Sequence, residues 1–170
     1  ASYFDYELGP LGPSAASNAR GNNLAPDGAT YLSDFELFNI SSSVRYTGID
    51  DRWPVKFVWD YVRNLGAAVP ADTGYGFDLF VGRLNRPGDL QLRYGYSQAE
   101  TDAVLGLFSN DNIVYPTNYK LHSFSADYAL SQHSRVGLTH YQYGRLTLDP
   151  ASPLDDNWAS RTRLNLYFVF

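Results

Sequence analysis

The sequence predicts an all-β fold, an antiparallel transmembrane β-barrel with eight strands in this chain. Three observations predict it. Apolar and polar residues alternate at period two in segment after segment, as in strands with one greasy and one polar face. The connections between those segments alternate long and short. The composition is rich in aromatics and poor in charge, yet it contains no continuous apolar run.

Charged residues make up 18% of the 170, against roughly 25% in an average soluble protein. Aromatics make up 16%, with 14 Tyr, 10 Phe and 3 Trp, a Tyr-heavy load suited to rings placed between lipid and water. Mean hydropathy is nevertheless negative, at -0.32, and no apolar stretch approaches the roughly 18 residues of a membrane helix. Apolar surface is interleaved with polar residues, as lipid-facing and lumen-facing positions are in a barrel. The length fits one domain, residues 1–170. The absence of cysteine excludes disulfides, zinc-thiolate sites and cysteine nucleophiles. A net charge of -5 and no basic stripe in the sequence argue against a nucleic-acid partner. No signal peptide is visible, and a start at Ala1 is expected of a processed protein or a fragment.

In chain order, the first strand is Ser2–Glu7, followed by a Gly-, Pro- and Asn-rich connection from Gly9 to Thr30, expected as an exposed loop. Strand two is expected from about Tyr31 to Tyr46, with Phe38, Ile40, Val44 and Tyr46 opposed to Asn39, Ser41, Ser43 and Arg45. Strand three, Trp53 to Arg63, opposes Val55, Phe57, Trp59 and Tyr61 to Lys56, Asp60 and Asn64. Strand four, Tyr75 to Leu84, opposes Tyr75, Phe77, Leu79 and Val81 to Gly76, Asp78 and Gly82. Strand five opposes Leu90, Leu92, Tyr94 and Tyr96 to Gln91, Arg93, Gly95 and Ser97. Strand six, Tyr119 to Leu130, opposes Phe124, Ala126 and Tyr128 to Ser123, Ser125 and Asp127. Strand seven runs from Arg135 to Leu148, where Tyr141 and Tyr143 interrupt the pattern set by Val136 and Leu138 and suggest a bulge. In the closing strand, Leu164, Leu166, Phe168 and Phe170 face away from Arg161, Arg163, Asn165 and Tyr167.

Loops Gly9–Thr30, Leu65–Thr73, Gln98–Thr117 and Asp149–Asn157 are long, and the turns at Gly48, Pro87 and His133 are short. Within the third loop, Glu100 to Leu107 is expected as a helical turn or a strand extension. Outer-membrane barrels sort their loops in this way, with long external loops and short periplasmic turns. A soluble sandwich has no reason to.

Several segments resemble the C-terminal part of a bacterial outer-membrane porin family: WPVKFVWDYVRNLGA (53–67), GDLQLRYGYSQAETDAVLGLFSND (88–111) and YKLHSFSADYALSQHSRVGLTHYQY (119–143). The motifs are Asp-Tyr-x-x-Asn at Asp60–Asn64, Glu-x-Asp-Ala-Val at Glu100–Val104, and Tyr-Ala-Leu at Tyr128–Leu130 before a tight turn. The resemblance covers Tyr31 to Phe170 and says nothing of the solute. It implies a bacterial outer-membrane location and passive diffusion of small hydrophilic solutes or ions, with no cofactor. The implied partners are outer-membrane lipid and other copies, in a trimer or a larger membrane complex. Barrels of this kind end on an amphipathic strand closing on Phe, read by the assembly machinery, so Leu164, Leu166, Phe168 and Phe170 are the expected assembly signal. Members of the family are longer and have more strands, so the chain is either a complete small barrel or the C-terminal half of a larger porin.

The lumen-lining candidates are Arg45, Lys56, Asp60, Asp78, Arg93, Asp127, Arg145, Arg161 and Arg163, with Asp5 and Glu7 also placed inward. In a closed eight-stranded barrel these charges would pair in a packed interior, leaving a structural or adhesion role to the loops. In a wider barrel they would line an aqueous channel and set its ion preference. Trp53, Trp59, Tyr61, Tyr75, Tyr94, Tyr96, Tyr128, Tyr141, Trp158 and Tyr167 are expected in interfacial girdles. Catalysis is not expected. A hydrolase needs a Ser–His–carboxylate set, but His122 shares a face with Phe124 while Ser123 points the other way, and His133 sits in a turn. Asp102, Asn110, Asp111 and Asn112 read as solvated loop content before they read as a metal site.

Overall fold

A computed structural model describes residues 1–12, 14–48, 50–109, 112–147 and 158–168. Eight strands form one antiparallel sheet in which each strand pairs with the next in sequence. They are β1 (Ser2–Tyr6), β2 (Phe35–Tyr46), β3 (Val55–Asn64), β4 (Thr73–Gly82), β5 (Leu90–Ala99), β6 (Tyr119–Ala129), β7 (Ser134–Arg145) and β8 (Ala159–Phe168). The only helical pieces among the described residues are single turns, Ala15–Asn18 and Gly106–Phe108. Neither is long and apolar enough to cross a membrane.

The sheet is open. β1 and β8 each pair with one neighbour, so the eight strands do not close on themselves. This corrects the expectation of a complete eight-stranded barrel. β1 has only five residues against ten in β8, which leaves both outer strands with a row of unpaired backbone groups.

Register is unbroken from β2 to β8, because the period-two pattern of each strand locks to that of its neighbour. No bulge occurs at Tyr141 or Tyr143. Both face inward opposite Ser123 and Leu121, where Tyr143 packs with Leu121 and Ile113 under the β5–β6 connection. Their ring-bearing positions broke the alternation because that end of the inner face is covered by chain instead of solvent. Asp5 is also corrected. It faces Glu36, on the side of Phe38 and Ile40, and Glu7 lies beyond the end of β1.

The short turns hold themselves. In the β4–β5 turn Asp89 accepts hydrogen bonds from the backbone N–H groups of Asn85 (3.1 Å) and Arg86 (2.9 Å) and from Arg83 Nε (3.1 Å). Burial opposes ionisation of Asp89, but the Arg86 amide, the Arg83 charge and the Asn85 amide outweigh it and hold its pKa below the usual carboxylate value.

Three of the long connections are more than exposed loops. The β1–β2, β3–β4 and β5–β6 connections fold onto one another as a cap at one end of the sheet. Asn22 donates to the carbonyls of Thr101 (2.7 Å) and Val104 (2.8 Å) and accepts from the Gly106 amide (2.7 Å). Asp102, 0% exposed, accepts from the Asn23 amide (2.9 Å), the Asn23 side chain (3.1 Å) and the Ser33 hydroxyl (2.7 Å). Beneath this network Phe35, Leu37 and Leu105 form an apolar cluster with Tyr6, Tyr31 and Val62 packed against it.

Candidate functional site

The two faces of the sheet differ in kind. The outer face carries Val44, Phe57, Leu79, Leu92, Phe124, Leu138, Leu164, Leu166 and Phe168, all exposed. Val44 is 67% exposed and Leu164 69%, values foreign to a packed soluble core. Leaving one such side chain in water forgoes roughly 1.5–3 kcal/mol of burial, and a contiguous apolar face of this extent marks an interaction or membrane surface. Toward the capped end this face turns aromatic. Trp59 stacks on Tyr61 at 6.4 Å, Tyr75 lies 6.2 Å from Tyr96, and Tyr96 lies 5.0 Å from His122. The Trp158 ring follows His122 at 5.6 Å, with the Lys120 ammonium 5.0 Å above it. Rings and cations together suit a band where apolar surface meets water.

The inner face is polar and, in its centre, nearly bare. Gly74, Gly76 and Gly95 follow one another across β4 and β5 beside Ser97 and Ser123. Gly95 leaves the room that the Asp78 carboxylate and the Ser123 hydroxyl occupy. Over this floor lies a cavity of about 530 Å³, lined among others by Asn39, Asp60, Asp78, Arg93, Ser123 and Phe108. The β5–β6 connection crosses the concavity. At one end Phe108 stacks on Tyr6 of β1 at 5.9 Å. At the other, Arg161 donates to the Asn112 carbonyl at 3.1 Å, and Arg163 donates to the Asn112 side chain. The described residues of this connection, a strap over the inner face, therefore touch the first strand at Phe108 and the last at Asn112.

All nine lumen-lining candidates fall on this inner face. Arg45 faces Lys56, Asp60 faces Gly76, and Asp78 faces Gly95. Asp127 faces Gly137, Arg145 faces Tyr119, and Arg163 and Arg161 face Thr139 and Tyr141. Their partners differ. Arg93 forms a two-pronged pair with Asp78, both contacts at 2.8 Å, a geometry that fixes both side chains. The Arg145 guanidinium lies 4.7 Å from the Tyr115 ring. Inner-facing Arg135, which sequence reasoning passed over, lies 4.2 Å from the Tyr167 ring. The alternation around Gly137 and Thr139 was the signal that places it.

Leu164, Leu166 and Phe168 share the outer face of β8; Phe170 lies outside the described residues. So do Asn110 and Asp111 of the metal candidates. Asp102 is committed to Asn23 and Ser33, and no group of three or more acidic or His side chains poised for a metal occurs among the described residues. His122 and His140 lie on the outer face, with Nδ1 2.9 Å from the hydroxyls of Tyr94 and Thr162 respectively, while Ser123 and Ser125 face inward. No protein-family model, curated protein or solved structure matches this chain.

Proposed function

We propose that the outer face of this sheet meets lipid and the inner face lines a water-filled channel. The protein is then a porin-like element of a bacterial outer-membrane barrel, through which small hydrophilic solutes or ions diffuse passively. One observation carries this reading: an exposed apolar face and a charged, glycine-floored face are the two sides of one regular sheet. Lipid offers no partner to the unpaired backbone groups of β1 and β8. The reading therefore requires strands beyond both edges in the assembled barrel, which also widens it past the side-chain-filled interior of eight strands. The experiment is planar-bilayer recording on the purified protein, with intact mass taken on the same sample. Discrete, stable conductance steps support the channel. Silence from correctly inserted protein removes it.

A second reading has one observation in its favour. The hydrogen-bonded cap is more ordered than a plain entrance requires, and it suits a barrel with a filled interior that acts through its loops. Silent bilayers with intact, inserted protein are the result that reading expects.

A further inference from the structure

The inner face holds its charges unevenly. Its strand positions carry seven cations, Arg45, Lys56, Arg93, Arg135, Arg145, Arg161 and Arg163, against three carboxylates, Asp60, Asp78 and Asp127. The chain as a whole has a net charge of -5, so the wall is opposite in sign to the molecule.

Four of these cations belong to one continuous cross-strand row. Arg45 is the register partner of Lys56, Lys56 of Phe80, and Phe80 of Arg93. Arg93 then faces Ser125, Ser125 faces Thr139, and Thr139 faces Arg163. The row contains no carboxylate. The Phe80 ring sits between two of its cations, 5.8 Å from Lys56 Nζ and 5.4 Å from the Arg93 guanidinium carbon. Ser125 donates to Thr139 at 3.1 Å, so hydroxyls continue the row where charge lapses.

Arg45 and Lys56 sit directly opposite each other, and both are exposed. Like charges placed so are unfavourable, and neither forms an ion pair among the described residues. Arg93 is neutralised by Asp78 in the adjacent row, whereas no carboxylate among the described residues pairs with Arg45 or Lys56. An anion between the two removes that repulsion. A guanidinium fork also matches the oxygens of carboxylate and phosphate. Because barrel strands tilt by roughly 35–45°, a row at right angles to the strands climbs the wall as a ramp and spans depth as well as circumference.

We propose that this row is an anion path, with Arg45 and Lys56 as its unneutralised contact, and that the solutes of the channel are small oxyanions of the phosphate or carboxylate type. The proposal rests on the channel reading above. It is tested on the full chain in planar bilayers by the zero-current potential in a KCl gradient, followed by addition of inorganic phosphate. Chloride should permeate a few-fold better than potassium, and millimolar phosphate should reduce the chloride current. The double variant Arg45→Gln/Lys56→Gln should keep its conductance steps, lose at least about half of the chloride preference and lose the phosphate block. The charge-preserving Arg45→Lys/Lys56→Arg variant should keep the preference. Conductance with cation preference, or a double variant indistinguishable from the parent, overturns the anion path and leaves the channel standing. Silence from inserted parent protein overturns both.

Discussion

Asn64 is 1% exposed, and its amide joins three parts of the chain. Its nitrogen donates to the carbonyls of Asp34 and Asp102, both at 2.9 Å. Its oxygen accepts from the backbone N–H groups of Glu36 (3.0 Å) and Gly66 (3.1 Å). Truncation leaves several buried backbone groups without partners, a loss of roughly 1–3 kcal/mol. Asn64→Ala should therefore lower the urea midpoint of the micelle-solubilised protein clearly, and Asn39→Ala, which removes a half-buried bond to the Tyr61 carbonyl and a longer one from the Ser2 hydroxyl (3.5 Å), should lower it much less. Equal losses in the two variants would contradict the role assigned to Asn64. Periodicity placed this residue on the inner face, but its bonding was not legible, because three of its four partners lie in or beside connections with no period. The same holds for Asp102, whose carboxylate is used up by Ser33 and Asn23 from another loop.

At the scale of elements, all eight strands and both faces of β2 to β6 were readable, because a half-buried strand writes its orientation into every second residue. Strand ends were less so. β2 begins at Phe35, since Tyr31 instead bridges Leu24 within the cap. β7 ends at Arg145, where the inner face passes under the strap. The folding of the long connections onto one another had no signature, since polar loop residues look alike whether they bond to water or to another loop. One glycine shows how tightly an element end is drawn. Gly82 closes β4 with φ +94, and a Cβ there would collide with the Leu90 carbonyl. Both left-handed backbone and contact oppose any side chain. Gly82→Ala should cost about 2 kcal/mol and weaken the β4–β5 hairpin, whereas Gly9→Ala, with open space around its Cβ position, should leave unfolding unchanged. A neutral Gly82→Ala would argue that the β4–β5 turn is not formed as described.

The whole molecule is organised inside out by the standards of a soluble protein. Its apolar clusters lie in the cap and under the strap, while the broadest apolar surface faces outward and stays open. The strand count and loop parity were legible, but the open edge between β1 and β8 was not, because a strand's own sequence does not say which neighbour it lacks. Everything proposed about transport depends on that outward surface meeting lipid, and Trp59 reports on it. Its ring lies on the outer face of β3, opposite Phe77 in the register, and is 37% exposed. The most direct measurement is fluorescence quenching of the Trp53→Phe/Trp158→Phe variant, which leaves Trp59 alone, in vesicles. Bromine carried on the lipid acyl chains should quench Trp59 strongly, and iodide in the water should quench it weakly. Strong quenching by iodide with none from the brominated lipid would place this face in water and contradict the membrane account.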